Sequence, residues 1–292
     1  VSTTSTGSSS RRSRLPPPPL VGVPETATQV AQALGELGIR PSRGLGQSFL
    51  TDPFVADAEA ALVDRGLDAP VLEVGGGLGI LTSALLRRGY ANVTVVELDR
   101  RLAKRLASEF AGRAQVLVGD ALEVPVDRAE AVVGNLPYSA ATPILIRLLK
   151  ARVPRVVAMV QEEVAARLAA TPGSRTYGRL SILAQLFAAV ELYRPVGPES
   201  FHPRPVVGSR ILTFTARPDP LAVRSVEKLE EVVRILFSSR RKQLGNLLPR
   251  LTSAPGPTAS SAGWPEDWSK RRPEQLPPEA FYALANTLSN AH

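Results

Sequence analysis

Glu73-Val-Gly-Gly-Gly-Leu-Gly79 follows directly on the apolar run that begins at Val71, and this stretch limits the fold more than any other. Gly75, Gly77 and Gly79 let a backbone turn sharply at the end of a strand and let a ligand approach it closely. Short apolar runs alternate with amphipathic ones from there on. Strands are predicted over 71–74, 93–96, 115–118, 131–133 and 156–160. Helices are predicted over 80–88, 100–110, 143–150 and 162–170. Such alternation predicts an α/β fold, a Rossmann-like parallel sheet with helices on both faces. An apolar stretch at 180–186 and a late strand at 211–215 complete this part.

Three regions flank the alternating pattern. Residues 1–24 are rich in Ser, Thr, Arg and Pro, with no acidic residue before Glu25, and read as a disordered leader. Helices are predicted over 25–37 and 53–65, the second capped by Asp52 with Pro53 in its first turn. Between them lies a basic, glycine-broken loop carrying Arg40 and Arg43. Beyond 217 the pattern turns helical, with helices predicted over 226–236, 240–248 and 278–290 and a Pro/Ser/Ala/Gly linker over 253–263. The expected organisation is a leader (1–24), a ligand-binding domain (25–217) and a small all-helical C-terminal domain (218–292).

Composition removes whole classes of chemistry. The chain has no cysteine, and its histidines are His202 and His292 alone, so disulfides, thiolate nucleophiles and Cys- or His-rich metal centres are excluded. No metal is expected. No apolar run reaches the roughly eighteen residues of a membrane span, so no membrane partner is expected. A net charge of +8 fits a polyanionic partner, though a basic soluble protein without one reads equally from charge alone.

The successive strand ends carry a consistent set of polar groups. A dinucleotide fingerprint needs its third glycine at position 80, which is Ile80. The spacing fits instead the acid-then-glycines loop of S-adenosylmethionine enzymes, whose ligand has no pyrophosphate to cradle. Glu97 ends the second strand, 20 positions after Gly77, where a carboxylate can accept from both ribose hydroxyls. Asp120 ends the third, where a carboxylate can accept from the adenine amine or cap a helix. Asn135-Leu-Pro-Tyr138 follows the fourth. The Asn135 side-chain oxygen and the Leu136 backbone oxygen can hold the two hydrogens of an exocyclic amine. Pro137 fixes the turn, and Tyr138 offers a ring to stack on a flipped-out base. In isolation the same four residues also read as a proline turn.

Together these residues resemble the ribosomal RNA adenine N6-dimethyltransferase family, the dimethyladenosine transferases, whose near relatives are the erythromycin-resistance methylases. The resemblance spans about 40–250 and includes Gly46-Gln-Ser-Phe-Leu50, the glycine loop, Glu97-Leu-Asp99, Gly119-Asp-Ala121, Asn135-Leu-Pro-Tyr138, Tyr177-Gly-Arg-Leu-Ser181, Phe201-His-Pro-Arg-Pro-Val206 and Arg240-Arg-Lys242. It implies a class I methyltransferase fold with a sheet of about seven strands, and S-adenosyl-L-methionine as cofactor, held by Gln47, Ser48, Leu50, Gly75, Gly77, Glu97, Asp120 and Asn135. Two departures stand out: Ser48 replaces the family's usual Asn, and Ser139-Ala-Ala-Thr142 replaces its usual Asn-Ile-Ser-Thr.

Tyr177–Ser181 and Arg240–Lys242 resemble the ribosome-assembly branch. The implied activity is N6-dimethylation of two adjacent adenosines in a hairpin near the 3′ end of small-subunit rRNA, within an assembling subunit in the cytoplasm, by a monomer. Arg40, Arg43, Arg240, Arg241 and Lys242 are candidate RNA contacts, each also readable as a solvated charge. Phe201 reads either as a neighbour of the target base or as core, and His202 as structural. Two alternatives stand: methylation of a large-subunit adenine conferring macrolide resistance, and a non-catalytic assembly factor.

Overall fold

The structure, a computed structural model, describes residues 22–41, 47–217, 223–251 and 266–289. Arg43, Gly46, the 253–263 linker and leader residues 1–21 lie outside the described residues. Residues 22–24, read with the leader, lie against a helix of the main body, where Arg105 donates to the Gly22 carbonyl at 2.8 Å.

Helix α1 (Ala27–Glu36) starts at Thr26, whose hydroxyl accepts from the Gln29 N–H. Strand β1 (Phe49–Leu50) precedes α2 (Pro53–Leu62), and the Asp52 carboxylate caps α2 by accepting from the N–H groups of Phe54 and Val55. The alternating region then runs β2 (Val71–Val74), α3 (Ile80–Arg87), β3 (Val93–Glu97), α4 (Arg100–Glu109), β4 (Gln115–Val118), β5 (Ala131–Asn135), α5 (Ala141–Lys150), β6 (Arg155–Gln161) and α6 (Glu162–Leu168). The apolar stretch at 180–186 is helix α7 (Arg179–Phe187). Strands β7 (Ala188–Val196), β8 (Phe201–His202) and β9 (Ser209–Ala216) follow.

Seven strands form one sheet in the order β4-β3-β2-β5-β6-β9-β7. The pairs from β4 to β6 are parallel, while β9 is antiparallel to both β6 and β7, so the all-parallel expectation holds for five strands and fails at one edge. Strand β7 was not predicted, and its sequence explains why. It is an edge strand, exposed at Glu191, Tyr193 and Arg194, and broken by a register shift between Leu192 and Pro195. Proline is tolerated there because an edge strand leaves N–H groups unpaired. The two-residue ladder between β1 and β8 was also not predicted.

The central strands read as continuous apolar runs because both their faces are covered, and Val71–Val74 is buried throughout. The chain steps outward from β2 to β3 and β4, then returns to β5 on the other side of β2. That reversal opens a crevice at the carboxyl ends of β2 and β5, where open α/β sheets bind ligands.

Past residue 223, α8 (Val226–Phe237) buries Leu229, Val232, Val233 and Leu236 on one stripe. With α9 (Pro278–Ser289) it shares one continuous core with α5, α7 and β9, including Leu145, Leu183, Phe214 and Phe281. The helix predicted over 240–248 is not there. Turns and short 3-10 segments at Leu244–Asn246 and Leu248–Arg250 take its place. The Leu244 N–H donates to the Arg271 carbonyl at 2.8 Å rather than to its own turn. A Cβ on Gly245 would lie 3.2 Å from the Ser269 carbonyl, so the segment is shaped by close approach to the 266–270 turn.

Candidate active site

The glycine loop closes the carboxyl end of β2. Gly75, Gly77 and Gly79 have φ of +77°, +56° and +92°, a region that side chains with a Cβ rarely enter. The loop is pinned from the neighbouring strand β3. The Gly75 N–H donates to the Val96 carbonyl at 2.8 Å. Glu97 Oε2 accepts the Gly77 N–H, and its Oε1 the Asp99 N–H, each at 2.9 Å. Burial pushes the Glu97 carboxyl up from its ordinary range, and the backbone donors pull it back. Each oxygen keeps acceptor capacity for a ligand hydroxyl.

Asp120 stands beyond β4. Its Oδ1 accepts the Leu122 N–H at 2.8 Å, bracing the turn at 121–123, and among the described residues no helix follows before β5 for it to cap. Asp99 caps α4, accepting from the Arg101 N–H.

Asn135 is the last residue of β5, in register with Met159, rather than following that strand. The prediction ended at 133 because Gly134 breaks the apolar run. A Cβ on Gly134 would meet the Val74 carbonyl at 2.5 Å, so glycine lets β5 pass this close to β2. Leu136 is buried and donates its N–H to the Met159 carbonyl at 3.1 Å. The Ala140 N–H closes the turn onto the Pro137 carbonyl at 2.9 Å. Tyr138 is half-buried, and its hydroxyl lies 2.7 Å from Ser209 Oγ.

These strand ends face one cavity of about 310 Å³, lined by Gln47, Ser48, Leu50, Gly75, Gly77, Glu97, Asp120 and Asn135–Tyr138. Every residue expected at the cofactor or at the reacting amine borders it. The 47–50 segment crosses the glycine loop, and a Cβ on Gly77 would touch the Phe49 ring at 3.4 Å. The residues present suit a nucleoside: glycines where a Cβ would intrude, carboxylates at the ends of β3 and β4, and apolar Leu98, Leu122 and Ile144 between them.

The RNA candidates separate. Arg40, Arg241 and Lys242 are exposed. Arg240 is engaged, with Nε 2.6 Å from Glu274 Oε2 and Nη1 donating to the Arg175 carbonyl at 2.9 Å. It tethers 240 to the 174–175 turn instead of offering a free cation. Phe201 is 1 % exposed in the core with Leu50 and Val55, so of its two readings the core one is realised.

Sequence reasoning assigned nothing to Glu59 or Ser209 and only a loop position to Glu73. Glu73 borders the cavity, fully buried, with Thr82 Oγ1 donating to its Oε2 at 2.6 Å and its Oε1 unpartnered. Glu59 on α2 has neither oxygen partnered. Burial pushes both carboxyls up to about 8, Glu59 being raised further by the Glu73 charge and Glu73 by that of Glu97.

Comparison with known proteins places these features. Residues 40–263 match the family described as ribosomal RNA adenine dimethylase. A probable ribosomal RNA small subunit methyltransferase A of Natronomonas pharaonis is 40% identical over 259 residues, covering 85% of this chain and 93% of that protein. The crystal structure of a dimethyladenosine transferase from Plasmodium falciparum superposes with a TM-score of 0.69 at 24% identity, covering 81% of this chain and 95% of the other. That of the 23S rRNA methyltransferase ErmE has a TM-score of 0.61 at 27% identity, covering 83% and 100%.

Proposed function

Because the chain belongs to the ribosomal RNA adenine dimethylase family, we propose that it dimethylates N6 of two adjacent adenosines in small-subunit rRNA, using S-adenosyl-L-methionine. The observation that carries this reading is the meeting of Asn135–Tyr138 with the glycine loop, Glu97 and Asp120 on one cavity. When bound, the cofactor would supply an electrophilic methyl carried on a sulfonium.

The chain's own residues do the positioning. Glu97 would take the cofactor's ribose hydroxyls and Asp120 its adenine amine, and Gln47, Ser48 and Leu50 would border it. Asn135 Oδ1 and the Leu136 carbonyl accept the N–H bonds of the target amine, two in the first transfer and one in the second. This draws its lone pair out of conjugation and aims it at the methyl. Each transfer releases one proton from that nitrogen to solvent. Tyr138 stacks on the extruded base. No strong general base is required, since orientation and fixed dipoles supply most of the rate.

The substrate site is a hairpin near the 3′ end of the RNA within an assembling subunit, since unpaired loops are where bases can be splayed out. Arg40, Arg43, Arg241 and Lys242 approach its phosphates. We assign the protein to the cytoplasm as a monomer, with domain boundaries at 24/25 and 217/218. No helix among the described residues is long and apolar enough to cross a membrane.

The test is transfer of labelled methyl groups to purified small subunits lacking the modification, with nucleoside analysis of the product. Dimethyladenosine formed by the wild type and lost in Asn135→Ala is expected. Methylation of naked large-subunit RNA alone would replace this reading with that of a resistance methylase, and no transfer to either would leave an assembly factor.

A further inference from the structure

The Tyr138 and Ser209 hydroxyls, 71 residues apart in sequence, meet at 2.7 Å. Their surroundings differ in rigidity. Tyr138 sits half-buried on the turn that joins β5 to α5. Ser209 is 1 % exposed at the start of β9, paired with Gln161 of β6 on one side and Val196 of β7 on the other. The strand is clamped on both sides of it. The Glu162 N–H donates to the Gly208 carbonyl at 3.0 Å, and Arg210 Nε lies 2.9 Å from each Glu162 carboxylate oxygen. A hydroxyl buried at Ser209 needs a partner, and Tyr138 supplies it.

A tyrosine ring has two side-chain torsions, and nothing in a proline turn sets its tilt. Anchoring the hydroxyl to the sheet fixes the direction of the ring's long axis, and because a phenolic hydroxyl lies in the ring plane, the bond to Ser209 also resists rotation of the ring about that axis. We propose that Ser209 is a positioning residue that fixes the Tyr138 ring plane beside Asn135, so that the target adenine stacks with its amine at the Asn135 and Leu136 oxygens. This rests on the methyltransferase reading above. The clamp also gives Glu162 and Arg210 a purpose at one remove: they hold the strand that holds the tyrosine.

The experiment is a double-mutant cycle on Ser209→Ala and Tyr138→Phe, with Ser209→Thr as the conservative control. Turnover and KM on small subunits are measured, with cofactor affinity by calorimetry. Ser209→Ala is expected to lower kcat by roughly fivefold, the scale of one neutral hydrogen bond, with KM and cofactor affinity held, and Ser209→Thr to restore it. The double variant is expected to be no slower than Tyr138→Phe alone, because both remove one bond. Multiplied losses, or a fall in cofactor affinity matching that in kcat, would overturn the proposal.

A second readout does not need activity. In protein carrying 3-fluorotyrosine, Ser209→Ala is expected to move the ionisation of Tyr138 upward, since the Ser209 bond favours the phenolate against the burial that raises it. An unmoved ionisation point overturns the tether. An inactive wild type would instead count against the methyltransferase reading while this readout still decides the bond.

Discussion

Glu97 Oε2 accepts the N–H of Gly77 at 2.9 Å, so the acid at the end of β3 is also the strut of the glycine loop after β2. Its other oxygen holds the Asp99 N–H. Glu97→Ala would leave both donors unpaired in a largely buried place and remove the acceptor for the ribose. Leaving a buried donor unpaired costs stability, while a hydrogen bond to a charged group contributes about 1.5–3 kcal/mol, so loss of the ribose acceptor should lower cofactor affinity by at least roughly tenfold. Calorimetric titration with S-adenosylmethionine checks this. A variant with unchanged affinity and slow turnover alone would contradict the assignment.

Gly76 is the glycine of the loop with an ordinary φ, and its constraint is space. A Cβ there would lie 2.4 Å from Val95 Cγ1 and 2.8 Å from Leu106 Cδ1, packing β3 and α4 too tightly against the loop. Gly76→Ala should destabilise by about 1–3 kcal/mol and lower Tm on thermal unfolding. An unshifted Tm would mean that α4 yields at this contact without strain.

The pair Glu59 and Glu73 makes stability fall as pH rises. Each carboxyl is raised from its ordinary 4.5 to about 8, so the folded state binds protons that the unfolded chain has released. The stabilisation is full below 4.5 and is lost as pH rises toward 8, at up to about 1.4 kcal/mol per pH unit per carboxyl. Glu59→Leu removes one of the two groups. Its Tm should decline less than that of the wild type between pH 5 and pH 8, the window set by those values. Parallel curves for the two proteins would refute the pairing.

What the sequence made legible follows periodicity and punctuation. The buried strands β2, β3, β5 and β6 read as apolar runs, as did the exposed edge strand β4, and Asp52 marked a helix start that it does cap. The glycine loop, Glu97, Asp120 and Asn135 were legible because each stands at or just past a strand end, a position that sequence order identifies, whereas Gln47, Ser48 and Leu50 were expected only through the family resemblance. Groups whose role depends on a distant partner were not legible. Ser209 gains meaning from Tyr138, and Arg240 reads as a free cation until Glu274 is seen beside it. Likewise the Tyr177–Ser181 motif turns out to serve packing: Tyr177 stacks edge-on against Phe237 at 6.2 Å, and Ser181 Oγ donates to the Arg167 carbonyl at 2.5 Å.

The adjacent arginines 240 and 241 should therefore behave differently when changed. Arg240 is tied to Glu274 and to the 174–175 turn, joining the segment after α8 to the one before α7. Arg240→Ala should lower Tm, with the loss of RNA binding no larger than the unfolding explains. Arg241 is exposed, and Arg241→Glu exchanges a phosphate-attracting charge for a repelling one without touching the core. It should weaken binding to small subunits about tenfold at low salt, less so as salt rises, and leave both Tm and cofactor affinity in place. Filter binding across a salt series measures the first, and thermal unfolding and calorimetry the others. Equal effects of the two substitutions on subunit binding, with equal effects on Tm, would show that the pair acts as one basic patch and that the Glu274 contact does not distinguish them.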